Sequence, residues 1–211
     1  MGIFYIGSHN SLSYIKPKAW YLHPFHFMAK CQQVDYKAQY EKHDVRIFDI
    51  RVWFSKTGTL QVRHGMDIFN ITPDEVYTFL KYLNRKKDCY IRVWLEEDMF
   101  NRKSKQAPTA EAYFCRFCKA IEKKYKNIRF FGGKRKFDEK TLYTFSNQDI
   151  PQLIDRYSST TSMFSTDNRF LRIVDDLWPW LYAKTHNRKN YRKYTQNHNG
   201  KWLLMDFVNI R

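Results

Sequence analysis

Short apolar segments alternate with segments of helical periodicity along most of this 211-residue chain. The apolar segments predict strands over residues 3–6, 45–54, 60–63, 89–95, 128–131 and 202–208, with 141–145 as one further candidate. The helical periodicity predicts helices over 25–42, 73–87, 109–125 and 169–182. Strands that alternate with helices of about 15 residues form βα units, in which the strands run parallel in one sheet. We therefore expect a single α/β domain over residues 1–211, built around one core.

Residues capable of acid–base or ionic chemistry recur where the predicted strands end. His9 follows the first strand, Asp49 and Arg51 lie late in the second, Glu96 follows the strand at 89–95, and Asp206 lies in the last. The carboxyl ends of parallel strands meet at one edge, and in a (β/α)-barrel this edge carries the active site. The pattern favours such a barrel. A typical barrel uses about 250 residues, so this one must be compact, with shortened helices in its second half.

Two histidines stand in settings that suit the cleavage of a phosphodiester. The motif Gly7-Ser8-His9-Asn10-Ser11 follows the first strand, and Arg63-His64-Gly65 closes the third. One histidine can remove a proton from the nucleophile while the other protonates the leaving oxygen, and an arginine can neutralise the phosphoryl oxygens. If the substrate carries a hydroxyl beside its phosphate, the nucleophile is already in position, and no further group is required. A structural role for these side chains, as hydrogen-bonded groups at strand ends, is the alternative.

The composition bounds the partners. A net charge of +16 attracts polyanions, anionic membrane surfaces or phosphorylated substrates without choosing among them, and a basic surface that serves solubility is the alternative. No segment approaches the roughly 18 apolar residues of a membrane-spanning helix. The start of the chain lacks the pattern of a signal peptide, which favours the cytoplasm, whereas a mature or trimmed form would be secreted.

The four cysteines do not predict a metal site. Cys115 and Cys118 have the spacing of a metal-binding pair, but they fall within a predicted helix, and Cys31 and Cys89 stand apart from them. A structural zinc site requires a second pair of ligands. We therefore interpret all four as small apolar side chains on buried faces.

The strand-end motifs resemble those of the phosphatidylinositol-specific phospholipase C X-domain family, whose fold is an irregular TIM barrel. Residues 7–11 are similar to the first-strand motif of the family, and residues 45–52 are similar to its second-strand motif. Arg63-His64-Gly65 matches the segment that supplies the second histidine, and residues 205–208 resemble the late-strand Asp-Phe. Together these motifs span almost the whole chain, and they are densest before residue 66.

The resemblance implies a role for each of these residues. His9 would be the general base, with Asp206 orienting its ring, and His64 would be the general acid for the diacylglycerol leaving oxygen. Arg51 would lie on the phosphate, and Asp49 would hold Arg51 or the substrate in place. The further residues that we expect to contact substrate are Asn10, Arg92, Trp94 and Glu96. In the family the nucleophile is the 2-hydroxyl of inositol, so the first product is a cyclic inositol phosphate.

The resemblance also bears on the cofactor. Metal-free members of the family carry an arginine where metal-dependent members carry the second acid of the second strand, and Arg51 occupies that position. We therefore expect no metal cofactor. Asn10 and Glu96 nevertheless match positions that ligate calcium in the metal-dependent members, so the ligands to suspect, should calcium bind, are Asn10, Asp49 and Glu96.

The expected partner is a phosphoinositide or a related phosphodiester. Aromatic residues between Trp20 and Phe27, together with the basic surface, would help the protein to lie on an anionic membrane. Two alternatives stay open. The first is cleavage of RNA through its 2′-hydroxyl, supported by the basic segment 184–201, which we predict to be a mobile or partner-facing loop carrying Tyr191 and Tyr194. The second is a non-catalytic barrel that binds phosphorylated head groups.

Overall fold

The computed structural model describes residues 4–97, 107–147, 150, 152–154, 178–196 and 200–211. Within these ranges the chain forms a mixed α/β fold with one curled sheet. The strands in chain order are Ile6–Ser8 (β1), Val45–Phe54 (β2), Leu60–His64 (β3), Asp67–Ile68 (β4), Cys89–Leu95 (β5), Ile128–Arg135 (β6), Leu153–Ile154 (β7) and Trp202–Met205 (β8). The α-helices are His26–Ala29 (α1), Tyr36–Lys42 (α2), Pro73–Asn84 (α3), Ala107–Lys124 (α4) and Pro179–Gln196 (α5).

Six of these strands run parallel, in the spatial order β6-β5-β2-β1-β8-β7. Strand β3 pairs antiparallel with the end of β2, and β4 pairs antiparallel with β3. The described strands do not close the sheet between β6 and β7, so the architecture is that of a half-barrel. The predicted parallel α/β sheet is confirmed. Of the predicted TIM barrel, the described strands form only the curled half-barrel.

The register of the sheet brings the ends of β1 and β8 level with the middle of β2. Ser8 in β1 pairs with Phe48 on one side and with Met205 on the other. The residues that follow these three are His9, Asp49 and Asp206, which therefore lie at the same level: His9 and Asp206 just past the ends of β1 and β8, and Asp49 within β2. Because side chains alternate along a strand, Arg51 projects from the same face as Asp49 two residues earlier.

Gly7 allows these strands to approach closely. A Cβ at this position would lie 2.6 Å from the Leu204 Cδ1 and 3.0 Å from the Ile47 Cβ. Any larger residue would therefore force β1 away from β2 or β8, and with it the residue that follows the strand.

The helices cover the outer side of the sheet. Helix α3 begins with a capping box between Thr72 and Glu75, with Pro73 at its first position. Its apolar stripe packs into the same core as that of α4, through Val76, Phe79, Leu80, Leu83, Phe114, Phe117 and Ile121. None of the described helices is long and apolar enough to span a bilayer.

The helix predicted over 25–42 is divided in the structure. A 3₁₀ turn over Trp20–Phe25 precedes α1, and α2 begins only after Asp35, which caps it by accepting a hydrogen bond from the Ala38 amide. The cap and the extended backbone before it end one helix and start another, which apolar spacing alone does not reveal.

The structure of the carboxyl-terminal half differs from the sequence predictions in three further places. Residues 184–196, predicted as part of a mobile loop, lie in α5, and Pro179 begins that helix instead of bending one, because proline is tolerated at the first helical position. The candidate strand at 141–145 is reduced to a bridge between Thr141 and Lys134. The last strand ends at Met205, which places Asp206 just beyond it. Most of the helix predicted over 169–182, namely residues 169–177, lies outside the described part of the chain.

Candidate active site

His9 and Asp206 form a buried hydrogen-bonded pair at the ends of the adjacent strands β1 and β8. The His9 Nδ1 donates to the Asp206 Oδ1 at 2.6 Å, and both residues are almost wholly buried. The carboxylate thereby fixes the ring and leaves Nε2 as the basic nitrogen. An imidazole oriented in this way can accept a proton at Nε2 while the carboxylate stabilises the charge that results.

Arg51 lies at the centre of the site. Its Nε donates to the Asp49 Oδ2 at 3.1 Å, its Nη1 donates to the Glu96 Oε2 at 3.3 Å, and its Nη2 contacts the His9 Nε2. One guanidinium thus joins the general-base candidate to two carboxylates from two neighbouring strands. The planar fork of arginine suits such a position because it presents several donors in fixed directions.

Asp49 is fully buried and holds two arginines. Its Oδ1 accepts from the Arg92 Nε at 2.7 Å. Its Oδ2 accepts from Arg51 and also from the backbone amide of Asn10, at 3.1 Å. Burial by itself would raise the pKa of this carboxyl, but Arg92 and Arg51 outweigh it and hold the pKa well below its usual range. Asp49 is therefore an anion whose function in the free protein is to position cations.

Glu96 connects the arginine to the segment that carries the second histidine. Burial would raise its pKa as well, yet Arg51 and the amide of Gly65 hold that pKa below its ordinary value. The Gly65 amide donates to the Glu96 Oε1 at 3.2 Å, while Oε2 accepts from Arg51. Glu96 thus fixes the turn next to His64 relative to Arg51.

His64 faces His9 across the site. The two ring centroids are 5.9 Å apart and the rings are perpendicular. The His64 Nδ1 donates to the Ala29 carbonyl at 3.0 Å, which leaves Nε2 for a substrate. Burial and, next, the charge of Arg51 lower the pKa of His64 to about 4. In the free protein this imidazole is therefore neutral at neutral pH.

Asn10 adds a polar side chain that lacks a partner. It is fully buried with a left-handed backbone (φ 46°), and neither its Oδ1 nor its Nδ2 hydrogen-bonds to any described residue. A buried amide without partners is costly, and such groups are often satisfied by a ligand. This observation supports the prediction that Asn10 contacts substrate.

A second group of cations lies beside Arg51, on the strand β5 and just after β6. Arg92 and Lys136 approach the Trp94 ring, at 5.4 Å and 5.3 Å from its centroid. Desolvation of its ammonium and the neighbouring Arg51 lower the pKa of Lys136. Lys136 was not predicted from the sequence. It follows a bulge at Gly133, where β6 shifts its register against β5, and this irregularity is not visible in a pattern of alternating residues.

Side chains from loops and helices hold the strand ends in place. Gln32 donates from Nε2 to the carbonyls of His9 and Met205, both at 2.9 Å. Asn187, in α5, donates to the Asp206 carbonyl at 2.6 Å. Sequence reasoning missed both residues, because a buried amide in a loop or helix carries no periodic signal.

Cys31 is buried, as predicted, and its side chain also lies in the site. Its sulfur is fully buried and lies 3.9 Å from the His64 Nδ1. Its backbone joins the same region, since the Phe207 amide donates to the Cys31 carbonyl at 2.6 Å. The loop between the 3₁₀ turn and α2 brings it there, a placement that cysteine spacing could not reveal.

The structure therefore brings together the residues that the sequence singled out. In one cluster at the carboxyl edge of the parallel strands it places His9, Asn10, Asp49, Arg51, His64, Arg92, Trp94, Glu96 and Asp206. The arrangement supplies a fixed base, a second imidazole and several cations, which is the equipment for phosphodiester chemistry.

Comparisons with known proteins agree on the fold. Solved structures of phosphatidylinositol-specific phospholipase C from Staphylococcus aureus superimpose on the chain. One, from work on the membrane binding of that enzyme, has a TM-score of 0.58 at 16% identity and covers 96% of this chain and 85% of its own. A histidine-to-tyrosine variant has a TM-score of 0.57 at 15% identity, with 96% and 84% covered. No family model and no curated relative match the sequence. At these identities the likeness shows a shared fold.

Proposed function

We propose that this chain is a phospholipase C-like phosphodiesterase that cleaves the head-group phosphodiester of phosphatidylinositol or a related lipid. The observation that carries the proposal is the arrangement around His9, whose ring is held by Asp206 on one nitrogen and contacted by Arg51 on the other. The shared fold with a phosphatidylinositol-specific phospholipase C supports the same reaction class. We also propose that the fold is the compact and irregular TIM barrel expected from the sequence.

In the proposed first step, Arg51 turns its Nη2 from His9 to a phosphoryl oxygen of the bound substrate. The His9 Nε2 is then free to take the proton of the inositol 2-hydroxyl, whose oxygen attacks phosphorus. Asp206 stabilises the imidazolium that forms, and Arg51 neutralises the charge that develops on the phosphoryl oxygens. The substrate supplies its own nucleophile, so the protein has to provide only orientation, a base and a cation.

In the same step the bond between phosphorus and the diacylglycerol oxygen breaks. His64 donates a proton from Nε2 to that oxygen, and the product is a cyclic inositol phosphate. Water can open the ring in a second step in which His64 acts as base and His9 as acid, since each then holds the required protonation state.

We propose that the reaction needs no metal. Calcium would have to bind among Asn10, Asp49 and Glu96, but the Arg51 guanidinium lies between the two carboxylates and hydrogen-bonds to both. The other oxygen of Asp49 accepts from Arg92. Calcium requires six to eight oxygen ligands, and a fixed cation among the carboxylates opposes its entry. These residues therefore do not fit calcium as they stand, and the cation of the site is Arg51.

An exposed aromatic surface next to the site supports contact with a membrane. It comprises Trp20, Tyr21, Phe25, Phe27 and Trp178, of which Trp20 is 79% exposed. The Phe27 and Trp178 rings lie 5.6 Å apart. Phe27 is two residues from Ala29, whose carbonyl holds His64. Aromatic side chains lie readily at the membrane interface, and the basic chain favours anionic lipids.

The experiment that tests this function is hydrolysis of phosphatidylinositol in mixed micelles, first with EDTA and then with added calcium. The variants are His9→Ala and His64→Ala. The matched control is His43→Ala, because His43 lies at the end of α2 and away from the site, two residues before β2 begins. We expect turnover that survives EDTA, is lost in both site variants and persists in the control.

The other outcomes each contradict part of the proposal. Turnover only with calcium would refute the metal-free mechanism and move Asn10, Asp49 and Glu96 to its centre. Binding of inositol phosphate without turnover would support a head-group-binding barrel. Cleavage of RNA but not of lipid would support the ribonuclease alternative, whose basic segment lies largely in α5.

A further inference from the structure

Three chemically different metal ligands meet inside the candidate active site. A ring nitrogen of His9, the thiol sulfur of Cys31 and a carboxylate oxygen of Asp206 all lie within 4.8 Å of one another. All three residues are at least 97% buried. They come from three parts of the chain, namely the end of β1, the loop before α2 and the end of β8.

This combination of donors matches a particular class of metal ion. Imidazole, thiolate and carboxylate together are ligands of Zn²⁺, whereas calcium and magnesium prefer oxygen alone. Zinc is usually four-coordinate, so a fourth ligand is needed. A water molecule can supply it, since the His64 Nδ1 near the Cys31 sulfur donates its proton to the Ala29 carbonyl. A thiolate and a carboxylate would also neutralise the two charges of the ion, which matters in a site that already holds Arg51.

We propose that His9, Cys31 and Asp206 form a binding site for Zn²⁺ that blocks the active site. Zinc binds the His9 Nδ1 in place of the proton that lies between His9 and Asp206. That proton moves to the His9 Nε2, from which Arg51 turns away, and the proton of the Cys31 thiol leaves to solvent. His9 then has no nitrogen available as a base, so the zinc-bound form cannot begin the reaction proposed above. The binding itself does not depend on that reaction, since it follows from the positions of the three ligands.

The first test is calorimetric titration of the protein, freed of metal, with Zn²⁺ in the absence of any lipid. We expect one zinc ion per chain, proton release that varies with the buffer, and an affinity at least about 100-fold lower in Cys31→Ser, because loss even of an outer-shell partner costs about 10- to 100-fold. The matched control is Cys118→Ser, which replaces an equally buried thiol in α4. Its affinity should equal that of the wild type.

A second measurement uses the wild-type chain and so does not depend on how a variant folds. X-ray absorption of the zinc complex should show one sulfur at about 2.3 Å and nitrogen or oxygen ligands at about 2.0–2.2 Å. Absence of a sulfur ligand, absence of saturable binding, or equal affinity in Cys31→Ser would each overturn the proposal. If lipid hydrolysis is observed, zinc should inhibit the wild type and Cys118→Ser but not Cys31→Ser, relative to each protein in EDTA. If no hydrolysis is observed, calorimetry and absorption still decide the metal site.

Discussion

The protonation of His64 is the sharpest demand of the proposed mechanism. A general acid must carry a proton on the nitrogen that faces the leaving oxygen. In the free protein, however, burial and the charge of Arg51 lower the pKa of His64 to about 4, and the proton of the neutral ring lies on Nδ1, directed at Ala29. We therefore predict that the negative charge of the bound substrate raises the pKa of His64, so that the ring takes up its second proton from solvent.

The expected magnitude follows from the spacing of the two histidines. Their ring centroids are 5.9 Å apart, so a phosphate held between them carries its charge close to both. With an effective dielectric constant of about 20, two unit charges roughly 4 Å apart attract by about 4 kcal/mol. This free energy raises the proton affinity about 1,000-fold, which moves the titration of His64 from about 4 into the neutral range.

The assay is an NMR titration of protein labelled with ¹³C-histidine, with and without a phosphonate analogue of the inositol phospholipid head group that cannot be cleaved. His64→Gln assigns the signal, and His43, remote from the site, serves as the internal reference. We expect the midpoint of His64 to rise on saturation with the analogue while that of His43 stays constant. A His64 midpoint that remains near 4 in the saturated complex would refute its role as general acid.

Three further predictions concern the site and the sheet. Asp206→Asn should lower kcat about 10- to 150-fold with little change in KM, since a hydrogen bond to a charged group contributes about 1.5–3 kcal/mol; an unchanged kcat in the micelle assay would contradict its orienting role. Arg51→Gln should lower the free energy of unfolding in urea by about 3–5 kcal/mol, because the buried Glu96 loses its guanidinium partner and Asp49 loses one of its two, and a loss below about 1 kcal/mol would argue against that pairing. Gly133→Ala should cost more than about 2 kcal/mol of unfolding free energy, because its Cβ would lie 1.9 Å from the Tyr143 carbonyl at φ 65°. Gly65→Ala, with φ 56° and nothing within 4 Å, should cost clearly less, and equal losses would contradict the steric reasoning.

The central strands and the site that they carry could be predicted because their signals are local. Strands β2 and β5 have the predicted bounds, since each is a run of mostly apolar residues that is buried on both faces. Once the strands are taken as parallel, their carboxyl ends must share an edge. Asp49 and Arg92, 43 positions apart in sequence, are thereby opposite each other in the register.

The residues that the sequence did not reveal reach the site by routes without periodicity. Cys31 and Gln32 lie in an irregular loop, and Asn187 lies on a basic helix that polarity alone indicated as a loop. That helix buries Tyr182 and Ala183 and keeps its lysines in solvent. The tertiary contact, more than the helical propensity of its residues, therefore accounts for its conformation.

The charges around the two histidines connect binding to catalysis. Three carboxylates, those of Asp49, Glu96 and Asp206, lie in contact with or close to three cations, which are Arg51, Arg92 and Lys136. Their formal charges cancel, so His64 can remain neutral in the free protein. A phosphodiester adds one negative charge to a buried and balanced site, and we expect His64 to acquire the compensating proton. A ligand without that charge would leave His64 without its second proton. We therefore expect the site to distinguish charged from uncharged ligands in the catalytic step as well as in binding.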